Sequence, residues 1–220
     1  MIELLVKTVI AYFLGGVMGG DIMRRVKGGG DLRNEGSGNV GATNALRARG
    51  ASFAIGVLLI DIGKGVVAAL ALPLIPWHFA GASTWPVAWI GLLCGFAAAV
   101  GHCFPVLLRF RGGKGVATAT GVFGALLPAA LPWMIVLFAM LVMLTGWVAV
   151  ASIGGALAAF AYVLIAGPGL NSATGLFAAA MLALIVFKHR SNIANLIAGR
   201  EHRFEKARVL GRKLDQWRGR

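Results

Sequence analysis

Long apolar runs separated by short basic stretches set the pattern of this chain. The first three runs fall at about 4–23, 53–76 and 85–105, each near the roughly 20 residues a helix needs to cross a bilayer core. From 115 to 187, 73 residues then pass without one charged side chain. Of the 21 Lys and Arg, six lie in 24–50, three in 109–114 and ten in 188–220, leaving only Lys7 and Lys64 elsewhere. Basic clusters between apolar spans follow the positive-inside rule, which puts all three in the cytoplasm. An even number of helices must then join 109–114 to 188–220. Two would be too long, and four average about 18 residues each. Breaker residues suggest boundaries near Pro128 and Pro132, near Ser152–Gly155 and at "GPGLNS" (167–172). The pattern predicts an all-α polytopic membrane protein of about seven short transmembrane helices, with the N-terminus outside and the C-terminus in the cytoplasm. Five spans result if some segments dip in and return. No internal repeat is evident. One membrane domain is expected over 1–200, with a basic cytoplasmic tail at 201–220.

Composition agrees with this class: 58% of the 220 residues are apolar and 13% charged, with mean hydropathy +0.80, far from soluble averages. The first run lacks the short core and A-x-A site of a cleavable signal, so it reads as a first transmembrane helix. Within it, Gly15, Gly16, Gly19 and Gly20 form two small-xxx-small pairs suited to close helix contact in lipid. The net charge of +13 raises nucleic acid as a partner, but the interspan clustering argues against it. Cys94 and Cys103 are nine residues apart on one apolar segment, a rise of roughly 13 Å on a helix, too far for a disulfide. Neither redox chemistry nor a metal site is expected.

Under this topology every chemically rich stretch faces the cytoplasm: "EGSGNVGATNALRARG" (35–50), "GHCFPVLLRFRGGKGVATATG" (101–121) and "FKHRSNIANLIAGRE" (187–201). Gly36, Gly38 and Gly41 spell G-x-G-x-x-G, but a dinucleotide site needs a strand before it and a βαβ unit around it. A nucleotide P-loop fails too, since Leu108 and Gly115 stand where a glycine and a Ser or Thr are required. The physics behind those motifs still applies. Successive glycines let backbone N–H groups converge on an anion, and both glycine loops precede helices that run outward and so present positive N-termini to the cytosol. Arg47, Arg111 and Lys114 add full charges. His102, at the inner end of the third span, and His189 and Asn192, at the inner end of the last, are either polar anchors or site residues; their shared face favours the site. Asp61 and Lys64 lie i, i+3 in mid-span, where unpaired charge is expensive. A neutralising pair or a polar support for the site is the preferred reading over an ion path.

Taken together, the three stretches resemble the signature blocks of the bacterial acyl-phosphate-dependent glycerol-3-phosphate acyltransferases, the PlsY family. "GSGNVGATN" (36–44), "GHCFP" (101–105) with "FRGGKGVAT" (110–118), and "HRSNIANLIAGRE" (189–201) occur in the family's order. In the third block Asn195 replaces the family's arginine, so Arg190 or Arg200 would have to compensate. The resemblance implies an inner-membrane enzyme with its active site on the cytoplasmic face. It would move a fatty acyl group from acyl phosphate to the 1-hydroxyl of sn-glycerol 3-phosphate, giving 1-acyl-glycerol 3-phosphate and phosphate, the first acylation of phospholipid synthesis. No cofactor is implied, and membrane lipid is the other partner. The H-x4-D of acyltransferases that use acyl-CoA or acyl carrier protein is absent, with Leu107 and Ala194 at the aspartate positions.

On this reading Arg47, Arg111, Gly112, Gly113, Lys114 and Gly115 bind substrate phosphate. Ser37, His102 and Asn192 orient the glycerol hydroxyl and polarise the acyl carbonyl. Gly36, Gly38, Asn39, Gly41, Thr43, Asn44, His189, Arg190 and Glu201 support them. The base is either His102 or a substrate phosphate, and Ser37 as a covalent nucleophile is a rival. Outside the family, the competing class is a small-anion or phosphate-ester transporter, although such sites usually sit near the midplane of a repeat.

Overall fold

The structure, a computed structural model, describes residues 1–76 and 85–218. Helices account for all regular structure among the described residues, and the chain divides into two compact units, Met1–Pro128 and Ala129–Arg220.

The first unit opens with α1 (Ile2–Gly15) and α2 (Gly19–Lys27), bent by 47° at the break between them. The uninterrupted first span expected from hydropathy is therefore broken. Its glycines do make close contacts. A Cβ at Gly15 would strike the Ala98 backbone, and one at Gly19 would come 2.7 Å from the Val57 carbonyl oxygen. Next come α3 (Ala42–Arg49) and α4 (Ala51–Val66), with Gly50 between them at φ +82. The axis of α4 continues through a π turn, Val67–Ala71, to Leu74. Pro73 has no N–H for the Ala69 carbonyl, a sufficient cause for that widened turn.

Two further helices complete the unit, α5 (Val87–Cys103) and α6 (Val116–Leu126). α1 packs on α5 and α4 on α6. Each pairing rests on glycine: Gly101 lies against the Tyr12 backbone, Gly65 against the Thr118 carbonyl and Gly121 against that of Ile62. Small residues let backbones approach where lipid offers no hydrophobic drive to helix association.

The second unit contains α7 (Leu131–Thr145), α8 (Val148–Ile165), α9 (Ala173–Lys188), α10 (Arg190–Ile197) and α11 (Val209–Arg218). Breaks occur at Leu127–Ala130 and within "GPGLNS", as the sequence predicts, and Ser172 caps α9 by accepting from the Gly175 N–H at 2.9 Å. The break expected at Ser152–Gly155 is absent. α8 runs through it, because Gly154 and Gly155 are packing glycines facing Leu141 and Met134 of α7. The turn is instead at Gly146, φ +75, a left-handed helix stop.

Among the described residues, four helices suffice by length and composition to cross a membrane: Ala51–Leu74, Val87–Leu108, Pro128–Thr145 and Val148–Ile165. Counting each bent pair, α1 with α2 and α9 with α10, as one span gives up to six. The 11-residue α6 is apolar but shorter than a span. Apolar helices follow the apolar runs of the sequence, and among the described residues four to six of them qualify as crossings by length and composition, against the seven expected.

Candidate active site

The first glycine loop is shaped by one side chain. Asn44, 2% exposed on α3, donates through Nδ2 to the carbonyls of Leu32, Glu35 and Asn39 at 2.8–3.0 Å. Its Oδ1 accepts the Ser37 N–H at 2.9 Å. Asn39 Oδ1 accepts the Gly41 N–H at 2.9 Å, a local turn that aims the chain into α3. Gly36 (φ +55) and Gly38 (φ +70) adopt the left-handed conformations glycine permits. Ser37 is exposed at the tip, while Thr43 and Arg47 are half-buried on α3. The loop precedes this short helix rather than the membrane-spanning α4, a correction to the sequence reading that follows from the stop at Gly50.

The second loop folds back onto the end of α5. The Gly113 N–H donates to the His102 carbonyl at 3.0 Å and the Phe110 N–H to that of Pro105 at 2.9 Å. Arg109 and Phe110 hold φ of 52 and 61, uncommon for residues with a side chain. A Cβ at Gly112 would strike the His102 carbonyl, and one at Gly113 the imidazole Nε2. Gly115, φ +80, starts α6 directly, so this loop does sit at the N-terminus of an apolar helix. Arg111 is exposed and Lys114 half-buried beside it.

His102 itself is 3% exposed. Its Nδ1 lies 2.7 Å from Lys64 Nζ, which also reaches Asp61 Oδ1 at 2.9 Å and the Val17 carbonyl at 2.6 Å. Asp61 Oδ1 accepts the Gly19 N–H at 3.2 Å. Both backbone groups flank the α1–α2 break, so the ion pair satisfies one acceptor and one donor near that break. The mid-span charges thus act as the neutralising pair and polar support that their spacing suggests.

Arg33 joins the two loops and was missed by sequence reasoning. Its guanidinium pairs with Asp21 through two bonds, 2.8 and 3.0 Å, meets Asp31 at 3.1 Å and donates through Nε to the Arg111 carbonyl at 3.2 Å. The hydrogen bond to Asp21 is the chief cause that raises the Arg33 pKa, against burial. Burial pushes the Asp31 carboxyl up, but the Arg33 N–H and guanidinium outweigh it and hold it below the ordinary carboxylate value. That contribution is present above the unfolded-state value and is lost as pH falls through the folded one. A single Arg beyond a motif reads as a positive-inside anchor; only the Asp31-x-Arg33 spacing hinted at more. Glu35 pairs with Arg49 on the other flank of the loop.

The third block lies in the second unit. His189, 2% exposed, bonds through Nδ1 to the Ile185 carbonyl at 2.8 Å, an anchor at the 54° bend between α9 and α10. Asn192 Nδ2 donates to Glu201 Oε1 at 2.8 Å. Arg190 is exposed, its guanidinium 4.4 Å from the centre of the Phe187 ring. Asn195 and Arg200 are exposed. Cys94 and Cys103 are buried and form no disulfide.

The glycerol-3-phosphate acyltransferase family model matches residues 5–199. That span takes in both glycine loops, His102 and the third block up to Gly199. The chain belongs to the glycerol-3-phosphate acyltransferase family. Relatives of that name include one from Aquifex aeolicus, 40% identical over 197 residues (89% of this chain, 96% of the relative). Another, from Rhizobium meliloti, is 44% identical over 202 residues, 89% of each chain. The crystal structure of PlsY (YgiH), an integral membrane glycerol 3-phosphate acyltransferase in its glycerol 3-phosphate form, is similar with TM-score 0.78 and 36% identity. The match covers 94% of this chain and 98% of that one. Its lysophosphatidic acid form matches with TM-score 0.77 at 34% identity, over the same shares. As a PlsY-family protein, this chain is an integral membrane acyltransferase, not the small-anion or phosphate-ester transporter of the competing class.

Proposed function

We propose that this protein transfers a fatty acyl group from acyl phosphate to the 1-hydroxyl of glycerol 3-phosphate, at the cytoplasmic face of a bacterial inner membrane. The observation that carries the reading is the Gly112–Gly115 loop. It is folded onto His102, includes Lys114, follows Arg111 and is tied through the Arg111 carbonyl to Arg33, just before the first glycine loop. Two substrates that each carry phosphate need such a surface, and the acyl tail needs the lipid beside it. Acyl phosphate is a mixed anhydride whose phosphate leaves readily, so direct displacement suffices. The glycerol oxygen bonds to the carbonyl carbon, the carbonyl–phosphate C–O bond breaks, and the hydroxyl proton passes to a phosphate oxygen, which leaves as inorganic phosphate. The protein's tasks are then positioning and stabilising charge on the carbonyl oxygen. Gly112–Gly115 with Arg111, Lys114 and Arg47 hold phosphate, His102 polarises, and Ser37 orients the hydroxyl. In the second unit Asn192, set by Glu201, is the polar group assigned to substrate. The missing aspartates after His102 and His189 support acyl phosphate over thioester donors.

The test supplies purified protein with labelled glycerol 3-phosphate and, in parallel, palmitoyl phosphate, palmitoyl-CoA or palmitoyl carrier protein. Product from palmitoyl phosphate alone is expected. Product from either thioester at a comparable rate overturns the donor assignment. A trapped acyl-enzyme on Ser37 overturns direct displacement.

A further inference from the structure

Three polar atoms surround the Lys64 Nζ: Asp61 Oδ1, the Val17 carbonyl and His102 Nδ1. An ammonium has three N–H donors and no acceptor. With two of them on oxygens, the third points at Nδ1 over 2.7 Å, and a ring nitrogen that accepts carries no hydrogen. Asp61 does not compete for that nitrogen, since its Oδ1 lies 3.6 Å away, beyond hydrogen-bond length. We propose that Lys64 is a positioning residue that holds His102 as its Nε2–H tautomer, so that the ring acts toward the Gly112–Gly113 loop as a hydrogen-bond donor.

The opposite edge of the ring fits this role. Nε2 is the atom that a Cβ on Gly113 would strike, so this edge meets the loop, whose own Gly113 N–H is held by the His102 carbonyl. Backbone and ring of one residue therefore set the loop's position together. A donor at Nε2 suits an oxygen that bears or gains negative charge, either on phosphate or on the attacked carbonyl. The wrong tautomer would turn a lone pair toward the same oxygen, a change that disables other histidine-dependent enzymes without moving the ring. Asp61 acts one step further back, fixing Lys64 while also holding the start of α2 through the Gly19 N–H. The same pair thus stabilises the broken first span and sets the chemistry of the histidine.

The tautomer is tested by nitrogen NMR of [15N]histidine-labelled protein in lipid nanodiscs without substrate, with His102 signals assigned by their loss in His102→Gln. The expected spectrum has an unprotonated Nδ1 and a protonated Nε2, and Lys64→Met gives a mixture of tautomers. The kinetic arm rests on the proposed function: Lys64→Met lowers kcat about 100-fold, the scale of losing one oxyanion donor, with little change in KM for glycerol 3-phosphate. A protonated Nδ1 in the wild-type protein, as a neutral Lys64 accepting from the ring would give, overturns the proposal. So does an unchanged His102 pattern in Lys64→Met, or a changed one with an unchanged rate. Should Lys64→Met not fold, the wild-type spectrum decides alone. Failure of the wild-type protein to acylate glycerol 3-phosphate would count against the proposed function, while the tautomer would still be decided by the spectrum.

Discussion

Asn44 shows how much one buried amide can specify. It serves four backbone groups around the first glycine loop, of which the Leu32 and Glu35 carbonyls also accept from the Glu35 and Gly38 N–H groups. Asn44→Ala removes these bonds, at about 1–3 kcal/mol for each group left without a partner that water does not reach. The expected result is a lower thermal midpoint together with a large loss of acyl transfer. Asn44→Asp keeps the acceptor for Ser37 but lacks the Nδ2 donors, so it should fall nearly as far; a stable, active Asn44→Asp would show that the amide is not the template. In the second unit Asn192→Ala should lower kcat by about 10²–10³ if its amide polarises substrate, and a near-normal rate would end that assignment. The sequence made both asparagines visible because they sit in dense polar blocks. Arg33 and Asp21 stayed hidden because each stands alone among basic anchors, and only the fold brings them to Arg111.

At the scale of elements, hydropathy located the apolar segments and the Pro128 and "GPGLNS" breaks, since proline and turn residues act locally. It missed the α1–α2 break and placed another inside α8, because a glycine reads alike whether it ends a helix or seats a neighbouring backbone. Asp61 and Lys64 resolve the first case by bonding the Gly19 N–H and the Val17 carbonyl. Asp61→Asn alone leaves a buried cation without its counter-charge and should cost about 3 kcal/mol or more. Asp61→Asn with Lys64→Met should be the more stable of the two in detergent denaturation, yet no more active, since His102 then loses its partner. Equal stability of the single and double variants would show that charge neutralisation is not the pair's structural role. The basic tail also has structure that its composition conceals. Arg203 donates to the Thr145 carbonyl at 2.8 Å and stacks 4.9 Å from the centre of the Trp147 ring, while the Phe204 N–H bonds the Gly146 carbonyl. Arg203→Ala should expose residues 203–208 to protease faster than in the wild-type protein; an unchanged cleavage rate would mean that the latch is incidental.

For the whole molecule, class and family were legible because three blocks with different chemistry recur in order between apolar runs. The working geometry was not, because it depends on a loop returning onto the helix it has just left. Backbone bonds from Gly113 to His102 make that return, and side-chain bonds from Arg33 to Asp21 and Arg111 hold it beside the first loop. Membership of the glycerol-3-phosphate acyltransferase family gives the chain a reaction, and on the proposed function the cations and glycines of these loops bind phosphate. The most direct test of this account is kcat/KM for acyl transfer from palmitoyl phosphate to glycerol 3-phosphate by Gly113→Ala, which puts one methyl group against the imidazole of His102. With the helical fold retained, the account predicts a fall of about 100-fold, the cost of a small misplacement at a reacting centre. A rate close to that of the wild-type protein would contradict it.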